Sequence, residues 1–326
     1  MDGIKRVKSH KMLFVGVTTA QSIINYIFPV WMKILGSNVV LKGIDIPARR
    51  RGESVNKYAD IYRDCIQKIK LSPDVLGAIV TTHKVGIYNT TVDLFDELVD
   101  SSVKVGAIGC VYKSATKLVG EATDVLAVKK AFENICLLHQ GVPMTSFDVC
   151  ILGCGGGGIA LAYVLLANND QFTGNVIMTD ISDERIENTK NLLKKYDSNH
   201  KLRLHVIENT SETDKIINSL NTGSFVVNAT GMGKDTPGSP VSAHVIFPNN
   251  GCIWEYNYRG ELDFYKLATT QKITQNLSIF DGFDYFLHEW ITAISRILGI
   301  CIDDELFERL SKAATGIYVS KNRVVS

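Results

Sequence analysis

The run Val149-Cys150-Ile151-Leu152-Gly153-Cys154-Gly155-Gly156-Gly157-Gly158-Ile159-Ala160 decides the fold. An apolar stretch of strand character feeds a glycine-rich turn, and the turn opens into an Ala/Leu-rich helix. Gly153, Gly155 and Gly158 stand in the G-x-G-x-x-G spacing, with Gly156 beside them. The first glycine permits a tight turn, the second lets a pyrophosphate approach the backbone, and the third lets helix and strand pack closely. The helix N-terminus then offers free N–H groups and a positive dipole end to the phosphates. A second apolar run, Asn175-Val176-Ile177-Met178-Thr179-Asp180, ends on an acid. Asp180 lies about 20 residues past the third glycine, where a ribose-binding carboxylate is expected. A carboxylate there accepts hydrogen bonds from both ribose hydroxyls and repels a 2′-phosphate, so the reading is NAD rather than NADP.

Composition bounds the rest. At 326 residues the chain can hold two domains of ordinary size. Hydrophobic content of 45% with 21% charged residues places it among soluble globular proteins. A formal net charge of +1 provides no field that favours nucleic acid or membrane, and the short Arg49-Arg50-Arg51 patch reads as a solvated loop. No apolar run approaches the roughly 20 residues that span a bilayer. Met1-Asp2-Gly3-Ile4-Lys5-Arg6 has no apolar signal core behind it. The seven cysteines are scattered, odd in number and without C-x-x-C spacing; Cys150, Cys154 and Cys252 read as buried thiols. These features fit a reducing cytoplasm. With the histidines dispersed, no metal site is expected. The expected partner is a small-molecule substrate, with no nucleic acid or membrane, in a monomer or homodimer.

The first third alternates strand and helix signals. Strands are expected over 12–17, 39–46 and 76–80, with a pair over 106–112 and 117–120. Helices are expected over 21–35 and 54–70, the latter with apolar residues at Val55, Tyr58, Ile61, Tyr62, Cys65, Ile66 and Ile69. A long helix over 124–138 leads through His139-Gln140-Gly141-Val142-Pro143 to the glycine-rich unit. Short apolar runs at 204–206, 225–228 and 252–254 then continue a mostly parallel sheet. Helices over 282–298 and 305–319 are expected to return to the first domain. The expected fold is α/β with an N-terminal substrate domain (1–126), a Rossmann-type doubly wound dinucleotide domain (127–281) and C-terminal helices (282–326).

Two segments of the first domain bring chemistry. One is Gly77-Ala78-Ile79-Val80-Thr81-Thr82-His83-Lys84; the other is Gly106-Ala107-Ile108-Gly109-Cys110, followed by Gly120-Glu121-Ala122-Thr123-Asp124. Read alone, Lys84 is a helix-start surface lysine and Asp124 a helix N-cap. Ahead of a nucleotide domain, these segments resemble the shikimate/quinate dehydrogenase family. Its N-V-T-x-P-H-K, G-A-V-N-T and G-x-N-T-D segments match in order, followed by the glycine-rich turn. Its N-A-T-x-x-G is Asn228 to Gly233, its D-x-x-Y is Glu255 to Tyr258, and its late helix start is Asp281 to Glu289. The resemblance covers most of the chain. It implies hydride transfer between a nicotinamide dinucleotide and a secondary alcohol or ketone, with Lys84 and Asp124 as the catalytic pair. A lysine in a cleft can be lowered in pKa by burial, which a neighbouring carboxylate opposes; the sequence leaves that balance open. Cofactor contacts are expected at Gly153, Gly155, Gly156, Gly158, Asp180, Thr230, Gly231, Met232 and Gly282, and substrate contacts at Thr18, Val80, Tyr258 and Glu289.

The family's substrate-reading groups are largely replaced. Its S-x-S-P-x-x-H-N segment aligns with Thr18 to Asn25, where one serine is Thr18 and the other Ala20. Its hydroxyl-binding Asn and Thr before the lysine are Ala78 and Val80; two further Asn residues are Gly109 and Ala122, and its late Gln is Glu289. Losing several polar partners points away from shikimate as substrate. Glu289 either brings a second carboxylate to the pocket, suiting an amine-bearing or carboxylate-free substrate, or pairs with Arg259 or Arg296. His83 is read as structural and Trp254 as core. Three alternatives remain: a divergent but genuine shikimate/quinate dehydrogenase, a methylene-tetrahydrofolate dehydrogenase-like enzyme, and a dinucleotide-binding pseudoenzyme.

Overall fold

A computed structural model describes residues 10–49, 53–139, 147–168 and 172–322. Met1–Arg6, Arg50, Arg51 and the connection through Gln140–Pro143, all named above, lie outside the described residues.

The chain opens as β1 (Lys11–Gly16), α1 (Ile24–Ile34), β2 (Val40–Asp45), α2 (Ala59–Leu71), β3 (Val75–Val80), α3 (Lys84–Thr91), β4 (Glu97–Leu98), α4 (Asp100–Val105), β5 (Cys110–Ser114) and β6 (Lys117–Glu121). These strands form one sheet in the order β2-β1-β3-β5-β6-β4. β1 runs parallel to β2 and β3, and β5 antiparallel to β3 and β6. The period-2 alternation of β1 divides its side chains between two cores. Met12 and Phe14 pack with α1 and the C-terminal helices, and Leu13 and Val15 with α2.

α5 (Asp124–Leu138) crosses to the second sheet. That half is built from β7 (Val149–Leu152), α6 (Gly156–Ala167), β8 (Val176–Asp180), α7 (Asp183–Leu193), β9 (Leu202–Val206), α8 (Thr210–Asn218), β10 (Phe225–Asn228), β11 (Cys252–Glu255), α9 (Asp263–Thr270) and β12 (Ser278–Phe280). Its order is β12-β11-β10-β7-β8-β9, every pair parallel. Numbered within the unit, this is the doubly wound 3-2-1-4-5-6 arrangement, whose strand order reverses between β7 and β10. Ligands of open α/β sheets lie at that reversal. Trp254 is fully buried in the core between this sheet and α5, as its apolar neighbours imply.

α10 (Phe283–Leu298) and α11 (Asp304–Asn322) return to the first sheet, α10 against α5, β3 and β5 and α11 against α1. The expected α/β fold and the returning helices are therefore present. Among the described residues, no helix is long and apolar enough to cross a membrane. Two local expectations differ. The segment from 106 begins not as strand but with Gly106 at φ +60, closing α4 in the left-handed region, so β5 starts only at Cys110. Residues 19–21 form a single 3-10 turn, and α1 starts at Ile24.

Candidate active site

The strand ends of both sheets open on a cleft of 1290 Å³. Its floor on the nucleotide side is the glycine-rich turn. Gly153 sits at φ +104, a conformation that favours glycine. A Cβ on Gly158 would stand 2.2 Å from Gly153 O, which explains the third glycine: it lets α6 close onto β7. At Gly155 a Cβ would meet only Ala229 O, at 4.0 Å, so bare backbone faces the cleft beside the first turn of α6. That cradle fits a pyrophosphate. Thr230, Gly231, Met232 and Gly282 line the same cleft. Asp180 closes β8, and its Oδ2 accepts from Cys154 N at 2.9 Å while Oδ1 accepts from Ser182 N at 3.0 Å. Oδ2 also stands 3.6 Å from Arg185 Nη1, which lines the cleft beside it. Gly153, Gly155, Gly156 and Asp180 line the cleft; Gly158 is buried beneath it in a packing role.

Lys84 is the first residue of α3, on the opposite wall. It is no surface lysine: only 7% of it is exposed. Its Nζ donates to Asp124 Oδ1 at 2.5 Å and to Glu289 Oε1. Asp124 does not cap α5. Thr123 holds the cap position without a side-chain bond, and Asp124 turns its carboxylate to Lys84 and to the Tyr285 hydroxyl, both of which reach Oδ1. Asp124 Oδ2 is buried and accepts no hydrogen bond among the described residues. Glycine at 109 makes this position possible, because a Cβ there would lie 2.6 Å from that oxygen. The stem of Lys84 rests against the first turn of α6: a Cβ on Gly156 would be 3.2 Å from Lys84 Cβ and Cδ. Lys84 thus stands beside the first turn of α6.

The balance left open by sequence falls on one side. Burial disfavours the Lys84 ammonium, but the carboxylates of Asp124 and Glu289 more than offset it and hold the pKa above its ordinary value. Burial raises Glu289, Lys84 opposes that rise and Asp124 adds to it, and the carboxyl is pushed up to about 7. The alternative partners of Glu289 are occupied elsewhere: Arg296 donates to Glu121 at 2.9 Å, and Arg259 donates to Thr18 Oγ1 at 3.0 Å.

Phe14, Tyr256, Tyr258, Tyr285, Phe286 and Trp290 are aromatic residues that line the cleft. Tyr258 lines the cleft, its hydroxyl 3.1 Å from Ser22 Oγ. Ser22 went unnoticed in the sequence because the family serines align at 18 and 20. Ala20 is exposed and lies outside the lining residues. Thr18 lines the cleft but is engaged across it, donating to Asp235 Oδ1 at 3.3 Å, while Thr82 donates to Asp235 Oδ2 at 3.2 Å. Val80 corrects an expectation: it is fully buried in the core under α2 and does not line the cleft, since the alternation of β3 turns it away. Ala78 and Ala122 are core residues too. His83 is structural, bonded to Tyr62 Oη at 3.0 Å and Ile46 O at 2.9 Å. Tyr285 was also missed, although it stands one helical turn before Glu289 on the same face of α10.

Shikimate dehydrogenase (NADP(+)) of Streptococcus gordonii is 23% identical over 211 residues, 63% of this chain and 66% of that protein. The chain is similar to that enzyme over 63% of its own length. The match spans slightly under two thirds of the length of the first such relatives, 66% and 65%. Solved structures carry the same fold. Shikimate dehydrogenase 1 from Peptoclostridium difficile superposes with a TM-score of 0.68 at 18% identity, covering 95% of this chain and 99% of that one. Quinate dehydrogenase from Corynebacterium glutamicum, in complex with NAD, gives 0.64 at 19% identity, covering 94% and 99%. No family model matches the chain.

Proposed function

We propose that this protein is a nicotinamide-dependent oxidoreductase that interconverts a secondary alcohol and a ketone on a small cyclic or polyol-like substrate. The observation that carries the reading is the placement of Lys84, clamped by Asp124 and Glu289, beside the first turn of the phosphate-binding helix. When bound, the dinucleotide supplies the hydride acceptor or donor. Gly153, Gly155 and Gly156 hold its phosphates, Asp180 its ribose, and Thr230, Gly231, Met232 and Gly282 border the nicotinamide half. Lys84 moves the proton at the reacting oxygen, Asp124 orients its ammonium, and Tyr285 orients Asp124. Tyr258 and Ser22 offer hydroxyls to the substrate. The chain divides, in this reading, at 126 and 281, with the cleft between the units.

Shikimate is not the substrate in this proposal. Support comes from Ala78, Val80 and Ala122, which align with the family's hydroxyl-reading positions but are apolar core residues outside the cleft lining, so the polar groups of those aligned positions are lost. The cofactor is NAD in this proposal, supported by Asp180 at the end of β8, where a carboxylate accepts from ribose hydroxyls, and by Asp183 on the same rim; Glu184 there is paired with Arg49, and Arg185 stands 3.6 Å from Asp180 Oδ2. The C. glutamicum neighbour binds NAD, whereas the S. gordonii relative is named for NADP(+). The test is a panel of cyclic alcohols, amino-alcohols and polyols, shikimate and quinate included, assayed with each dinucleotide. The expected result is NAD-linked oxidation of a panel member with kcat/KM at least about a hundredfold above shikimate. Shikimate as the best substrate would overturn the substrate assignment, and tighter binding of NADP than NAD the cofactor assignment.

A further inference from the structure

Asp124 and Glu289 flank the same ammonium, yet their settings differ. Asp124 is 1% exposed, does not line the cleft, and has its Oδ1 taken by both Lys84 and Tyr285. Glu289 reaches Lys84 from α10 and does line the cleft, near Ser22, Tyr258 and Trp290. It is the lone ionisable member of the buried face of α10 apart from Tyr285; the rest of that face is Phe, Leu, Trp, Ile and Ala. A carboxylate in such surroundings is costly unless it is paired, and its partner is a lysine 205 residues away in the chain.

An ammonium between two carboxylates cannot serve as a base until its proton leaves. Asp124 is sealed from the cleft. Glu289 offers a direct hydrogen bond at one end and the cleft at the other. We propose that Glu289 takes up the proton that Lys84 must shed, so that the two side chains pass one proton between the reacting oxygen and the water of the cleft. This inference rests on the dehydrogenase reading above and deepens it. Glu289 acts through Lys84 and is a positioning residue for its proton.

In alcohol oxidation one proton of the Lys84 ammonium passes to the Glu289 carboxylate. The neutral amine then takes the hydroxyl proton as the carbinol C–H bond breaks and its electron pair leaves as hydride to the nicotinamide. Ketone, reduced nicotinamide, Lys84 ammonium and neutral Glu289 result, and Glu289 releases its proton to water. Ketone reduction runs the same transfers backwards.

The titratable groups around Glu289 are Lys84 from α3, Asp124 from α5, Cys110 from β5, Tyr258 from the segment after β11, and Tyr285 on α10 itself. Burial raises its carboxyl to about 7, Asp124 adding to the rise and Lys84 opposing it. The sign follows. Oxidation needs the Glu289 carboxylate, so its rate falls as pH drops through about 7; reduction needs the neutral acid, so its rate falls as pH rises through the same value.

Two measurements test this. In protein labelled with 13C at glutamate carboxyls, with Glu289→Gln used for assignment, the Glu289 signal is expected to titrate near neutral pH, and to move higher in Lys84→Met, which removes the opposing charge. A plain ion-pair carboxylate would stay ionised down to the ordinary range of about 4.3, and that result overturns the proposal. In turnover of the best alcohol of the panel, Glu289→Gln is expected to lose the limb near neutral pH and at least about tenfold in kcat, and Glu289→Asp to restore the limb. An unchanged limb in Glu289→Gln overturns the proposal as well. If no panel member is oxidised, the dehydrogenase reading fails, and the carboxyl titration, which needs no substrate, still decides the proton exchange.

Discussion

Lys84→Met lowers turnover of the preferred alcohol by about 10²- to 10⁴-fold while nucleotide affinity stays within a few-fold of the parent, the loss expected for a general acid/base. Methionine keeps the unbranched stem that rests on Gly156 but removes the ammonium. The change leaves Asp124 and Glu289 side by side without a counter-charge. Removing one member of a buried ion pair costs about 3–5 kcal/mol when the other stays charged. Here the loss is smaller, because Glu289 already sits at about 7 and takes a proton instead. Steady-state kinetics, a fluorescence titration with reduced nucleotide and a melting curve separate the effects. Retained turnover in a folded Lys84→Met protein would remove Lys84 from the chemistry.

Gly158→Ala is expected to damage the nucleotide half more than any conservative change elsewhere in the turn. The added methyl would meet a backbone carbonyl, Gly153 O, at 2.2 Å, so the clash cannot be relieved by a side-chain rotation. Either α6 lifts from β7 or the turn opens, and both displace the N–H groups that face the phosphates. Overpacking of this kind costs about 1–3 kcal/mol. For a chain of this length that lowers Tm by roughly 2–4 °C per kcal/mol. Nucleotide affinity should fall together with Tm. Gly155→Ala, whose methyl has open space, serves as the contrast: it should leave Tm nearly unchanged and weaken the nucleotide by crowding its phosphates. Equal Tm values for the two variants would contradict the assigned roles of the glycines.

The dinucleotide half was legible because its physics is local. Apolar strand, glycine spacing, Ala/Leu helix and terminal acid all fall within 149–180, and every one occupies its expected place. The same holds for α5, whose bounds, Asp124–Leu138, match its periodicity. The chemistry of the site was less legible because it is assembled from α3, α5 and α10. Nothing near Lys84 in sequence shows that two carboxylates enclose it, and Arg259 and Arg296 were equally plausible partners for Glu289 until the return of α10 was placed. Val80 shows the limit of motif alignment. An aligned position marks a substrate contact only if the residue there can make one, and an apolar replacement on an inward-facing strand position becomes core. Tyr285 and Ser22 could have been found from spacing alone: Tyr285 lies four residues before Glu289 on an amphipathic helix, and Ser22 lies two residues past Ala20, inside the segment aligned with the family's serine motif.

The most direct test of the account is a structure of the protein with NAD bound. The pyrophosphate is expected on the N-terminus of α6 and the nicotinamide ring facing the space between Lys84, Tyr258 and Glu289. C4 and Lys84 Nζ should then flank one substrate carbinol, with reacting atoms about 3–3.5 Å apart once substrate enters. A nicotinamide ring directed away from that space, or Lys84 turned out to solvent in the complex, would contradict it.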